Sequence, residues 1–298
     1  MTDTIEIREL SYQVEGFALK DVNLTVPSGA VYGFLGPNGA GKTTTIRLLL
    51  GLLRASGGGI KVFGEEVPTD IVSILGRTGY VPERPHLYPS LTVAEAVSLH
   101  AAFHHRFDHR ASKDLAARFE LPMNRTLSRL SKGEMGKALI LLALAQHPDL
   151  LVLDEPTDGL DPVVRREVMH AILDYVTETG ATVLISSHLV HELERFCDWI
   201  GVLDQGTIVA QLPMQEFKSG LKRLRVAAGA SAIAAPFSVI ARAEAGIGGE
   251  VWTVRGWQPE MSSWFDEAHP LKEVVDLDLE EAFVELLRSA RNPSGREA

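Results

Sequence analysis

A glycine-rich loop that leads into a lysine and two threonines is the part of this 298-residue sequence best suited to chemistry. Its residues are Gly36, Pro37, Asn38, Gly39, Ala40, Gly41, Lys42, Thr43 and Thr44. Glycines let the backbone adopt conformations that a Cβ forbids, so successive N–H groups can point at phosphate oxygens. Lys42 can then reach the terminal phosphates, and the Thr43 hydroxyl can ligate Mg²⁺. The spacing predicts a phosphate-binding loop.

The segments on either side of this loop have the character of the strand and the helix that must hold it. Residues 30–35 are apolar and strand-like, and residues 45–50 have helical residues with no breaker before Gly51. A helix that starts here adds roughly half a positive charge beside the loop. The alternative, a glycine turn that only caps a helix, is weakened by the motifs further along the chain.

Two adjacent carboxylates, Asp154 and Glu155, end the apolar run at residues 150–153. This run and residues 181–185 do not alternate, which is typical of parallel strands covered on both faces, and residues 163–179 are predicted as the crossover helix. Two carboxylates ending a buried strand need a cation or hydrogen-bond donors. We expect Asp154 to hold the Mg²⁺ water shell and Glu155 to orient or deprotonate the attacking water. A solvated acidic turn is the alternative.

Composition, charge and length restrict the class of protein. With 45% hydrophobic and 23% charged residues, the chain is typical of a globular protein, and its length suits one large α/β domain with a small appendage. The longest apolar run near a helix, at residues 138–145, is far shorter than the ~20 residues of a bilayer span, so we expect no membrane crossing. The net charge of −10 disfavours nonspecific binding to nucleic acid. The single cysteine, Cys197, excludes an internal disulfide, and the acidic residues 1–10 show no basic-then-apolar pattern, so we do not expect secretion.

Alternation of apolar and polar residues predicts the early strands. Residues 4–10 and 19–26 alternate, and we expect an antiparallel pair joined across Glu15 and Gly16. A glycine turn at residues 57–59 is predicted to precede a short strand, and residues 79–81 are predicted to form another.

A helical stretch and a change of composition complete the predicted architecture. Residues 91–145 follow a helical pattern, with Thr92 as a candidate N-cap. Beyond residue 213, alternation at residues 251–254 suggests a small β-rich appendage, which ends in an amphipathic helix at residues 277–287. The expected fold is of the α/β class: a P-loop NTPase core with a mostly parallel sheet, an N-terminal antiparallel β subdomain, an inserted helical subdomain and a small C-terminal α+β appendage.

The order of the motifs resembles that of ATP-binding subunits of ABC transporters, of the exporter type with one nucleotide-binding domain per chain. Five motifs follow the phosphate loop in this order: a Q-loop at residues 79–84, a signature at 130–134, a Walker B run at 150–155, a D-loop at 159–162 and a switch histidine at 186–188. The resemblance covers about residues 4–209. It implies an ABC ATP-binding domain at residues 1–213, with its helical subdomain at about residues 85–147, and leaves residues 214–298 as a small accessory domain.

The resemblance implies an ATP site that two chains share. ATP would contact the phosphate loop of one chain and both Ser131 and the backbone of Gly133 in the other. His188 would hydrogen-bond the γ-phosphate and help Glu155 to place the water, while Asp161 would order the seam between the chains. Binding of Mg·ATP would close a homodimer or a heterodimer, and hydrolysis would release it.

Two motifs depart from the pattern that is common in the family. Glu83 stands where glutamine is most frequent, so its contact with Mg²⁺ would come from a carboxylate. In the signature, Lys132 and Glu134 replace glycine and glutamine. Because Ser131 and Gly133 are kept, we still expect a competent phosphate site.

Four further features are open between a functional and a packing role. Tyr12 could stack on the adenine ring or only pack at a strand end. Leu87 and Tyr88 could receive a helix of a membrane subunit or pack internally. The C-terminal helix could dimerise, regulate or cap the sheet. Four histidines could bind Zn²⁺ or form a polar helical face: His100, His104, His105 and His109.

The sequence therefore predicts an ATPase that drives a separate integral membrane subunit, in the direction of export, from a peripheral position at the cytoplasmic face of the cell membrane. ATP and Mg²⁺ are the expected cofactors. The expected partners are the membrane subunit and a second ATP-binding subunit, without nucleic acid. One alternative is a soluble ATPase of the same superfamily that acts on nucleic acid or ribosomes, but such proteins usually have two cassettes or a long coiled-coil insertion. Another alternative is a P-loop small-molecule kinase, but a kinase would not explain the presence of the signature motif.

Overall fold

The computed structural model describes residues 3–227, 235–244, 249–265 and 270–291. Within these residues the strands are β1 (Asp3–Val14), β2 (Phe17–Pro27), β3 (Val31–Leu35), β4 (Gly57–Val62), β5 (Glu65–Val67), β6 (Thr78–Val81), β7 (Leu150–Asp154), β8 (Thr182–Ser187), β9 (Trp199–Asp204), β10 (Thr207–Pro213), β11 (Leu221–Ala227), β12 (Ser238–Glu244), β13 (Gly249–Arg255) and β14 (Leu271–Asp276). The helices are α1 (Lys42–Leu49), α2 (Ile71–Gly76), α3 (Val93–Phe103), α4 (His109–Arg118), α5 (Lys132–Ala145), α6 (Pro162–Thr179), α7 (Val190–Leu193), α8 (Met214–Ser219) and α9 (Leu279–Arg291). Short 3-10 helices lie at Leu127–Arg129 and Pro259–Trp264.

The central sheet has six strands in the order β10-β9-β3-β8-β7-β6. Its neighbours pair in parallel except for β10, which runs antiparallel to β9. Every residue of β3, β7 and β8 is buried, which explains why these segments do not alternate in the sequence. The predicted α/β class with a mostly parallel core is confirmed, and the carboxyl ends of β3, β7 and β8 meet at one edge.

A separate four-stranded antiparallel sheet, in the order β2-β1-β4-β5, forms the N-terminal part of the chain. β1 and β2 join across Glu15 and Gly16 as the sequence predicts. The predicted turn at residues 57–59 is wrong, because β4 begins at Gly57. Gly58 has φ +76° and lies so close to β1 that a Cβ would be 2.3 Å from the carbonyl oxygen of Glu9. A close approach at an irregular register, rather than a turn, requires the glycine there.

Helices α3, α4 and α5 form the inserted helical region between β6 and β7. Thr92 caps α3 as predicted, in a reciprocal capping box with Glu95. The expectation that one helix carries all four histidines is wrong, because α3 ends at Phe103 and α4 begins at His109. His104 and His105 therefore lie in the connection between the two helices.

The C-terminal segment contributes a second antiparallel sheet, in the order β12-β13-β11-β14. One face of this sheet packs around the buried Trp252 and Phe237. Helix α9 instead returns to the main core, where Leu279, Phe283 and Leu286 pack with side chains of α7 and α8. The far end of α9 is held by an ion pair between Arg291 and Asp204 of β9.

Arg291, the last residue of α9, donates two hydrogen bonds to Asp204 at 2.7 and 2.8 Å. The Asp204 side chain is only 3% exposed, so Arg291→Ala leaves a buried carboxylate without its cation. We expect the free energy of unfolding to fall by about 1 kcal/mol, because the guanidinium itself is partly exposed and screened by water. Urea unfolding measures this difference. Arg288→Ala, on the same helix but 70% exposed, is the matched control, and an equal loss in both variants would contradict the prediction.

Candidate nucleotide site

The glycine-rich loop connects β3 to α1, and its shape depends on two glycines. A Cβ on Gly36 would lie 2.3 Å from the carbonyl oxygen of Leu203. Gly41 has φ +114°, and a Cβ there would meet Leu19 and Phe17 at 2.7 and 2.8 Å. Any larger residue would push the loop away from its neighbours, so the backbone can wrap around an anion only with glycine at these positions.

Lys42 is the first residue of α1, and its side chain is only 6% exposed. Its ammonium donates a hydrogen bond to the carbonyl oxygen of Gly36 at 2.7 Å. The same nitrogen lies 3.1 Å from Oε1 of Glu155. The cation of the loop and the carboxylate at the end of β7 thus meet in one place, as the motif order predicts.

Asp154 ends β7 and is completely buried. The Ser186 hydroxyl donates to its Oδ1 at 2.7 Å and accepts from the backbone N–H of Glu155 at 3.0 Å. Burial raises the pKa of Asp154, and the hydrogen bond from Ser186 together with the nearby Thr43 hydroxyl partly offsets this rise. Among the described residues, no hydrogen-bond donor meets the buried Oδ2 of Asp154. A carboxylate oxygen without a partner beside a threonine hydroxyl fits a hard divalent cation such as Mg²⁺.

Glu155 stands between a cation and an imidazole. Its Oε2 is 2.9 Å from Nδ1 of His188, and its Oε1 faces Lys42. The backbone of Glu155 has φ +49°, a left-handed conformation that is uncommon for a residue with a side chain. Such conformations are typical of functional sites, where the surrounding structure holds them in place. The predicted base and the predicted switch histidine are therefore in direct contact.

These side chains share a cavity of about 480 Å³. It is lined by Phe17, Asn38, Gly39, Gly41, Lys42, Thr43, Thr44, Glu83, Glu155, Asp158 and His188. Most of these residues were predicted from the sequence, including Glu83, which is exposed at the end of β6. Gly36, Pro37 and Ala40 belong to the same loop, and Ala40 N–H donates to the carbonyl oxygen of Pro37 at 3.1 Å. Phe17 and Asp158 were not predicted.

The predicted signature residues, Ser131 and Gly133, are not among the described residues that line this cavity. Ser131 is exposed and caps α5 in a reciprocal capping box with Glu134. Lys132 lies 3.3 Å from Asp158, the residue just before the D-loop. The two unusual signature residues thus have roles within the chain: Glu134 closes the cap, and Lys132 pairs with a neighbouring loop.

Asp161 and Tyr12 also lie outside the cavity lining. Asp161 is exposed and caps α6, where its Oδ1 accepts from the backbone N–H groups of Val163 and Val164 at 3.0 and 3.1 Å. Tyr12 pairs with Leu19 and packs partly buried against the core of the N-terminal sheet. The roles of Asp161 at a seam and of Tyr12 on an adenine stay predictions.

Leu87 and Tyr88, which the sequence leaves open between docking and packing, differ in exposure. Leu87 packs partly buried against the main core, whereas Tyr88 is 69% exposed.

The rings of His100 and His104 lie 4.4 Å apart, and burial, together with His104, lowers the pKa of His100 to about 4. Within the described ranges, no group of three or more His, Cys, Asp or Glu side chains is placed to hold a metal. Among the described helices, none is both long and apolar enough to span a bilayer.

Comparison with known proteins agrees with this geometry. The family model described as "ABC transporter" matches residues 19–158. The ABC transporter ATP-binding protein YtrB of Bacillus subtilis (strain 168) is 33% identical over 224 residues, which cover 75% of this chain and 76% of YtrB. The Nod factor export ATP-binding protein I of Cupriavidus pinatubonensis (strain JMP 134 / LMG 1197) is 35% identical over 217 residues, covering 71% of this chain and 66% of that protein. A solved structure of the ATP binding subunit of an ABC transporter is 28% identical with a TM-score of 0.66, and covers 72% of this chain and 92% of that one.

Proposed function

Since this chain belongs to the family of ABC transporter ATP-binding proteins, we propose how its own residues bind and hydrolyse ATP and pass the result to a membrane subunit. The chain is an ATPase subunit of a transporter. The observation that supports the assignment of its site is the convergence of the glycine loop, Lys42, Glu155 and His188 in one cavity. A phosphate-binding loop beside a carboxylate base and an imidazole is the arrangement that ATP hydrolysis requires.

In the proposed mechanism, the amides of the glycine loop and the ammonium of Lys42 hold the β- and γ-phosphates of ATP. When Lys42 turns to the phosphates it leaves Oε1 of Glu155, to which it is now 3.1 Å distant. That oxygen is then free to accept a proton from the attacking water. His188 keeps its contact with Oε2 and so fixes the carboxylate, while its other ring nitrogen can face the γ-phosphate.

Three oxygen donors would hold Mg²⁺: the Thr43 hydroxyl and the Glu83 carboxylate, which line the cavity, and the buried Oδ2 of Asp154. Bound there, the ion would neutralise charge on the phosphate oxygens. Ser186 supports this set, because its hydrogen bond fixes the other oxygen of Asp154 and leaves Oδ2 available.

A second ATP-binding subunit, identical or different, would complete the site. Ser131 and Gly133 lie at the start of a fourteen-residue helix, where backbone N–H groups and the helix dipole favour an anion. Because Ser131 is exposed and outside the cavity, we propose that it binds the γ-phosphate of ATP held by the partner's loop. Asp161 would lie at the seam, and Tyr12 or Phe17 would contact the adenine.

We further propose that residues 1–213, with a helical subdomain at about 85–147, form the ATP-binding domain and that residues 214–298 form an accessory domain. The membrane partner would dock near Tyr88, and the chain would be peripheral at the cytoplasmic face. Export is the proposed direction, supported by the similarity to an export ATP-binding protein. An ATPase that acts on nucleic acid is not favoured, since the relatives described above are ATP-binding proteins of transporters and the net charge is −10.

Docking at Tyr88 can be tested with Tyr88→Asp in the complex purified from membranes. Tyr88 is 69% exposed, so a charge there should disturb a helix that packs on it without disturbing the fold. We expect recovery of the membrane subunit to fall at least about tenfold, while the ATPase rate of the isolated chain stays within about twofold. Val274→Asp, 41% exposed on β14, is the matched control. Equal recovery with wild type and both variants would refute docking at this residue.

A further inference from the structure

Glu192 is a buried carboxylate that the proposed mechanism does not use. It lies in α7, four residues after His188, and its side chain is 6% exposed. The Thr157 hydroxyl donates to its Oε2 at 2.7 Å. The guanidinium of Arg165 lies 2.7 Å from its Oε1 through Nη1. One oxygen of this carboxylate thus accepts a hydrogen bond, and the other, which has no hydrogen-bond partner among the described residues, lies in an ion pair.

The partners of Glu192 enclose one loop of the site. Thr157 lies two residues after Glu155 and two before the D-loop, and Arg165 lies in α6, three residues beyond the D-loop. Nη2 of Arg165 also donates to the carbonyl oxygen of Leu160 at 3.2 Å. Both ends of residues 157–161 are thus tied to the helix that follows His188. Asp158, inside this loop, lines the cavity together with Glu155 and His188.

A buried ion pair of this kind is poor evidence for stability, because removing two charges from water costs about as much free energy as their attraction returns. What the carboxylate does specify is distance, since a hydrogen bond from Thr157 and an ion pair with Arg165, each at 2.7 Å, hold two elements close to it. Glu155 has a strained backbone and lies in the chain between β7 and this loop. Its conformation therefore depends on where the loop is held.

We infer that Glu192 is a positioning residue for ATP hydrolysis: it holds the loop at residues 157–161, which leads into the D-loop, at a fixed distance from His188, so that Glu155 is kept in the geometry that accepts a proton. The inference rests on the proposed function of this site. Glu192 itself contacts neither the phosphates nor the water. It acts through Thr157 on one side of the loop and through Arg165 on the other.

Glu192→Gln tests this role, since it removes the charge and nearly preserves the shape. In the full chain we expect kcat for Mg·ATP to fall at least about tenfold with the dissociation constant for ATP unchanged within about twofold. Amide hydrogen exchange at residues 157–161 should be at least about tenfold faster. Glu194→Gln is the matched control, because this partly exposed residue pairs with Lys218 at 3.4 Å and does not share the network. Thr157→Val, which removes one hydroxyl only, should reproduce part of both effects.

Several outcomes would overturn the inference. One is that Glu192→Gln resembles Glu194→Gln in both kcat and exchange. Another is that the melting temperature falls while exchange at residues 157–161 and kcat of the folded fraction do not change, which would indicate a purely structural carboxylate. If the wild type does not hydrolyse ATP, the proposed function fails, and the exchange measurement still decides whether Glu192 holds the loop.

Discussion

Glu155→Gln is expected to lower the steady-state ATPase rate by at least about 100-fold while ATP binding persists, because loss of a general base typically costs a factor of 10² to 10⁴. Glutamine can keep the hydrogen bond to His188, but it cannot take a proton from water. ATP should then remain bound between two chains that cannot hydrolyse it. We therefore expect a stable dimer of the variant in Mg·ATP, measured by light scattering after size-exclusion chromatography, whereas the wild type returns to monomers as ATP is consumed.

The control for this variant is Glu178→Gln, an exposed residue near the end of α6 that undergoes the same chemical change. Its rate should equal that of the wild type. If Glu155→Gln keeps more than about a tenth of the wild-type rate, Glu155 is not the base. If the variant loses turnover but stays monomeric with ATP bound, the base assignment holds, and the partner is a different ATP-binding chain.

The parts of the site that could be predicted from the sequence are those in which a short local pattern determines the position of a side chain. The glycine loop, Lys42 and Glu155 follow directly from buried strands, and the carboxyl ends of neighbouring parallel strands necessarily meet at one edge. His188 follows the next strand in the same way. Thr92 and Gly180 were equally predictable as helix caps, because capping depends on residues within one turn.

Contacts that depend on how distant elements pack could not be predicted. Ser186 bridges Asp154 and Glu155 only because β7 and β8 pair in one register. Phe17 lines the cavity because the N-terminal sheet folds against the loop, and no local pattern indicates this contact. The one available signal was that Phe17 is an aromatic residue close to Tyr12 in the sequence. Glu192 is a charged residue in a short helix, and the sequence alone suggests that its side chain is exposed to solvent. The glycines at the start of β4 were misjudged because a close strand contact and a turn require the same residue type.

Lys42→Met is expected to weaken ATP binding by about 10- to 100-fold, the equivalent of one or two charge-assisted hydrogen bonds, and to abolish measurable turnover. The substitution has a second consequence, because Glu155 also loses the cation that lies 3.1 Å from it. Fluorescent ATP titration measures the affinity. Lys61→Met, a half-exposed lysine on β4, removes the same charge at a distance and should bind ATP normally. Unchanged affinity in Lys42→Met would mean that this cavity is not the nucleotide site.

The Lys42→Met chain can also decide whether two chains share each site, if it is mixed with Ser131→Asp. Aspartate is as good an N-cap as serine, so α5 keeps its start, but a negative charge then faces the γ-phosphate. Each variant alone should have almost no ATPase activity. In a mixed dimer, one site combines both defects and the other combines an intact Lys42 with an intact Ser131, so turnover should partly return. Activity that never returns on mixing, or a Ser131→Asp chain that is fully active by itself, would contradict a site built from two copies of this chain. Recovery requires that each chain contribute a different part of the same site, which no arrangement of independent monomers can provide.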